Sequence, residues 1–139
     1  MESQFDLERF VAAQDPVYDS VLAELRAGKK RSHWMWFVFP QIAGLGSSAM
    51  AQRYAIASED EAADYLAHPV LGRRLRECAA IVAALDAGSA GDIFGHPDER
   101  KFHSSMTLFA DTAPDEAVFQ ACIDKYFDGE PDPATLARV

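Results

Sequence analysis

Cysteine is scarce in this chain: two residues in 139, Cys78 and Cys122, each set among alanines and aliphatics in a helical pattern. That usage excludes a disulfide framework, and no Cys-x-x-Cys or close His-x-x-x-His spacing exists to hold a metal. Long apolar runs are absent too, and none approaches the length of a membrane span. The first eight residues, Met1 to Glu8, carry acids rather than the basic and apolar pattern of a secretory signal. A cytoplasmic protein with both thiols free is the expectation. No low-complexity tract, repeat or linker interrupts the sequence, so residues 1–139 read as a single domain, and 49% hydrophobic content is enough to bury a core without staples.

The most informative absence is local. Between Glu24 and Glu59 there is no acid at all, while Arg26, Lys29, Lys30, Arg31 and Arg53 give this window a charge of +5 in a chain whose net charge is −9. The overall balance argues against general affinity for nucleic acid or for an anionic membrane, both of which require a cationic field. The window itself is suited to a small anionic ligand.

Within it lies the richest stretch of the chain, Arg31 to Gly46. Two tryptophans and two phenylalanines fall between Trp34 and Phe39, and side chains of that size bury about 150–250 Å² each, which places the segment at the centre of the core. A run this short fits a buried strand or a buried helix. The helix is preferred, because no second strand-like run is available to satisfy the backbone of a lone strand.

Helix signals dominate elsewhere. Asp15-Pro16 and Asp132-Pro133 read as N-caps followed by proline at the first helical position. Ser47 or Ser48 is placed to cap a helix carrying Met50 and Tyr54, and Ser58-Glu-Asp-Glu61 is a capping box. Leu71, Leu75, Cys78, Ile81, Val82 and Leu85 trace one face of a long helix, and Asp98 is placed to cap another bearing Phe102, Met106 and Phe109. Residues 87–95 read as a small-residue connection, and Thr112 and Pro114 open a further helix. The fold class is all-α: six to eight short helices packed around the Trp/Phe-rich segment, with Trp36 and Phe37 largely buried.

The sequence His33-Trp-Met-Trp-Phe-Val-Phe-Pro-Gln41, together with Gly44-Leu-Gly46, His68-Pro-Val-Leu-Gly72 and Ser104-Ser-Met-Thr-Leu-Phe109, closely resembles the bacterial domain-of-unknown-function 1810 family over essentially the whole chain. The resemblance implies a mostly helical single domain and no assigned biochemical role. Genomes often label such proteins calpastatin-like, but calpastatin repeats are disordered and use a Pro-Pro-x-Tyr core. This chain has no Pro-Pro pair, and its capped, periodic helices are the opposite of a disordered composition.

Candidate site residues follow from the side chains around the aromatic run. His33, beside Arg31, is the candidate acid–base residue. Trp34 is a candidate platform for a flat ring, Gln41 a neutral hydrogen-bonding group, and the Gly44-Leu-Gly46-Ser-Ser48 turn a source of backbone donors for an anion. Lys101 and Ser104, three apart on one helix, are neighbours on its surface, with Lys101 as an anion ligand. No complete dinucleotide or Walker pattern and no other cofactor fingerprint is present. Two readings emerge: a binding or hydrolytic site for a small phosphate- or nucleotide-like anion, built from Arg31, His33, Trp34, Gln41, Gly46, Lys101 and Ser104, or a non-catalytic interaction module whose acidic ends meet a basic protein partner.

Overall fold

The computed structural model describes residues 4–86 and 88–139. Among these the chain forms ten helices and no strand. They are α1 (Glu8–Gln14), α2 (Tyr18–Arg26), α3 (Met35–Val38), α4 (Ala49–Arg53), α5 (Glu59–Ala67), α6 (Leu71–Ala84), α7 (Ala90–Phe94), α8 (Asp98–Thr112), α9 (Ala117–Tyr126) and α10 (Pro133–Leu136). The all-α expectation holds, and the count exceeds six to eight because the fold uses several one-turn helices. One of these, α7, occupies part of the presumed small-residue connection, where the Ser89 hydroxyl caps it by accepting from Asp92 N at 3.1 Å.

The Trp/Phe segment does form a helix, of a single turn, but the hub is α8, which packs against α3, α5, α7, α9 and α10. The reason lies in its sequence. Phe102, Met106, Leu108 and Phe109 are wholly buried, and Ser104, Ser105 and Thr107 are buried with them, so α8 offers apolar surface on more than one side. Phe102 lies 5.0 Å from Phe39, edge to face, and 4.6 Å from Phe94, stacked, which joins α8 to the residue after α3 and to α7. Trp34 is fully buried, whereas Trp36 is only partly so, and Phe37 is buried. The expectation for Trp36 is thus corrected: two positions apart on the chain, the two indoles point to different faces, and the inward one is Trp34.

Capping follows the sequence in some places and departs from it in others. Ser58 accepts from Glu61 N, and Glu61 reaches back to Ala57 N at 2.7 Å, completing the capping box one residue early. Asp132 caps α10 with proline at its first position. The Asp15 and Asp98 side chains, by contrast, cap neither α2 nor α8, because each is drawn into an ion pair: Asp15 with Arg74 at 2.9 Å and Asp98 with two lysines. Thr112 closes α8 rather than opening α9, since its hydroxyl donates to Leu108 O at 2.8 Å. No helix among the described residues is long and apolar enough to cross a membrane. Cys78 and Cys122 are buried and free.

Candidate functional site

After α3 the chain must turn sharply, and residues 41–48 do so under restraint. Ile56 N donates to Gln41 O and Ala43 N to Ile56 O, both at 2.8 Å, so an isolated bridge pins the start of the turn. Gly44 then takes φ +98°, a region costly for any residue with a Cβ, and the Arg138 guanidinium lies directly against it. Gln52 Nε2 donates to Ser47 O at 2.9 Å, and Ser48 Oγ accepts from Ala51 N at 3.1 Å, which holds the end of the turn over α4.

Facing this turn is the first stretch of α8. Between the two lies a cleft of about 320 Å³, with Gln41, Gly46, Ser47 and Ser48 on one wall and Arg100 and Lys101 on the other; Leu45, Ala51 and Pro97 supply apolar surface. Lys101 is held in place rather than left to swing. Its Nζ is 3.2 Å from Asp98 Oδ1 and 5.1 Å from the Trp36 ring. Asp98 is shared, because its other oxygen takes Lys30 Nζ at 2.8 Å. Lys30 is itself mostly buried and lies 5.3 Å from the Trp34 ring. One carboxylate therefore answers two ammonium groups. The exposed Arg100 guanidinium adds a further positive charge and makes no ion pair among the described residues.

Three of the residues singled out in the sequence, Gln41, Gly46 and Lys101, meet in this cleft. The others go elsewhere, for identifiable reasons. Trp34 is 0% exposed and cannot stack on a ligand; its indole N–H is spent on Glu24 Oε1 at 3.0 Å. Ser104 is buried, its hydroxyl donating to Arg100 O at 3.1 Å and Asp132 Oδ2 at 3.0 Å rather than to a lysine-bound ligand site. Arg31 and His33 are exposed on the loop before α3 and do not line the cleft.

That loop is organised by Glu24, which spacing did not single out. Its carboxylate accepts from Arg31 N at 2.7 Å, Ser32 N at 3.0 Å and the Ser32 hydroxyl at 2.6 Å, besides the Trp34 indole. Burial opposes its charge, but the Ser32, Arg31 and Trp34 donors outweigh burial and pull the carboxyl down to about 2. The last acid before the acid-free window is therefore the one that orders the window's basic loop. Arg100 was missed because it sits among acids, in Asp98-Glu-Arg-Lys101, where a charged helix start reads as solvated surface. Among the described residues, no group of three or more His, Cys, Asp or Glu stands close enough together to hold a metal ion.

The chain matches, over residues 4–139, the model of a family described as "Protein of unknown function (DUF1810)". Among solved structures it is similar to the conserved hypothetical protein Rv1873 from Mycobacterium tuberculosis, with 54% sequence identity and a TM-score of 0.95, covering 97% of this chain and 96% of that one. No curated protein matches.

Proposed function

The chain belongs to the DUF1810 family of unknown function, and we propose that it binds a small phosphate-like anion in the cleft between the 41–48 turn and the start of α8. The observation that carries this reading is the meeting of Arg100 and Lys101 with the Gly46-Ser-Ser48 turn in one cleft of a protein whose net charge is −9. A guanidinium and an ammonium group suit phosphate oxygens through charge-assisted hydrogen bonds. The pairing with Asp98 does not cancel the cationic surplus, because that carboxylate is divided between Lys30 and Lys101. Positioning by Asp98 and the Trp36 ring also lowers the entropy that Lys101 has left to lose on binding. No carboxylate, imidazole or thiol is among the residues lining the cleft, which supports binding in preference to hydrolysis.

The test is a titration with inorganic phosphate followed by amide chemical shifts. Shifts centred on Gly46 to Ser48 and on Arg100 and Lys101 are expected, together with a thermal stabilisation of about 2.7 kcal/mol at about 100 times Kd. Arg100→Ala and Lys101→Ala should each weaken the response while circular dichroism stays unchanged. Shifts confined to other parts of the surface, or none, would refute the site.

A further inference from the structure

We infer that the phosphate at this cleft is carried by a small polyhydroxylated molecule, a sugar phosphate, rather than by a nucleotide. The inference rests on the anion-binding reading above and adds what the rest of the cleft selects. Size is the first constraint. Ligand pockets commonly span about 300–1,000 Å³, and 320 Å³ lies at the lower end of that range. The cleft therefore has room for a phosphoryl group and a small body attached to it.

The second constraint is chemical. The cationic wall belongs to α8, and the facing wall is neutral and polar, so the ligand should be charged on one side and hydroxylated on the other. Among the described residues neither the Ser47 hydroxyl nor the Gln41 side-chain amide has an intramolecular hydrogen-bond partner. Ser48 Oγ accepts from Ala51 N, which leaves its O–H free to donate. An amide that both donates and accepts, next to two hydroxyls, matches adjacent alcohol groups. Leu45, Ala51 and Pro97 provide apolar surface for the C–H faces of such a chain.

The third constraint weighs against a base. No aromatic side chain is among the residues lining the cleft: Trp34 is fully buried, and Trp36 packs against Lys101 without lining the space. Recognition of a nucleobase draws on stacking worth about 1–3 kcal/mol per base, and this cleft offers no ring for it.

The experiment compares inorganic phosphate, ribose 5-phosphate, ribose and adenosine monophosphate by calorimetric titration of the full chain, with tryptophan fluorescence as a second readout because Trp36 lies beside Lys101. Ribose 5-phosphate should bind at least about tenfold tighter than inorganic phosphate, equivalent to about 1.4 kcal/mol from added hydroxyl contacts. Adenosine monophosphate should bind no tighter than ribose 5-phosphate, since its base finds no ring to stack on. The double variant Gln41→Ala/Ser47→Ala should weaken ribose 5-phosphate about tenfold more than it weakens phosphate, whereas Arg100→Ala should weaken both alike. If phosphate binds but ribose 5-phosphate binds no tighter, or the nucleotide binds better than ribose 5-phosphate, the sugar-phosphate assignment falls and the anion site stands. If neither phosphate nor ribose 5-phosphate binds, both fall. Circular dichroism of each variant separates lost binding from lost fold.

Discussion

At the scale of single residues, Glu24 shows how one carboxylate sets the conformation of a whole loop. Four donors from Arg31, Ser32 and Trp34 converge on it and hold its carboxyl at about 2, against an ordinary 4.5. A carboxyl whose folded pKa is depressed contributes stability that is fully present above the unfolded value and is lost as pH falls through the folded one. The window is therefore about pH 4.5 down to about 2. Urea denaturation of wild type and Glu24→Gln at pH 7, 4 and 2 should show the wild type more stable at neutral pH and the difference shrinking across that window. A difference that stays constant with pH would count against this assignment. Apolar residues behave more simply. Phe102 is wholly buried between Phe39 and Phe94, and Phe102→Ala should cost about 3–5 kcal/mol through lost burial and the cavity left behind. Chemical denaturation measures that directly.

Among the elements, the readable part of the sequence was whatever local chemistry decides. The Ser58 box, the Ser48 cap and the Asp132-Pro133 start form as expected because each needs only a side chain within a few residues of its own backbone. Asp15 and Asp98 look the same in sequence, but Arg74 arrives from 59 positions away and Lys30 from 68, and long-range ion pairs win over the local cap. The cleft was half legible for the same reason. Gln41, Gly46 and the serines belong to one continuous turn, whereas nothing local announces that Arg100 and Lys101 face it. Cap strength is open to test at Asp132, whose carboxylate serves Thr135 N, the Thr135 hydroxyl and the Ser104 hydroxyl together. Asp132→Ala should destabilise the protein by about 0.5–2 kcal/mol, with increased amide exchange confined to α10 and the middle of α8. Gly72 tests a different device, the close approach of α5 to α6. A Cβ there would stand 2.1 Å from the Leu66 carbonyl oxygen, a rigid backbone atom, so Gly72→Ala should cost at least about 1–3 kcal/mol as overpacking. Thermal melts give the comparison.

Across the whole molecule, the two thiols report on how the helices come apart. Cys78 belongs to α6 and Cys122 to α9, and Cys122 Sγ donates to Ala79 O at 3.4 Å, so one thiol lies within the α6–α9 contact. Burial pushes both thiols up to about 12, and neither side chain is open to solvent. A thiol needs to be both exposed and ionised to attack a disulfide reagent. Native protein at pH 8 should therefore label only through opening events, and the order of labelling reveals their extent. Tyr18 covers Cys78, its hydroxyl donating to Glu77 at 2.6 Å and accepting from Cys78 Sγ at 3.8 Å, while Cys122 is covered by α6 itself. Release of α2 alone would expose Cys78 and leave Cys122 protected, whereas global unfolding exposes both. Because α2 packs on α6, and α6 on α9, within one buried apolar cluster, the expected outcome is a single labelling rate shared by both thiols and raised by Phe102→Ala in proportion to its loss of stability. Peptide-resolved labelling with an aromatic disulfide reagent makes the distinction, and faster modification of Cys78 than of Cys122 would mean that α2 opens independently of the α8-centred core.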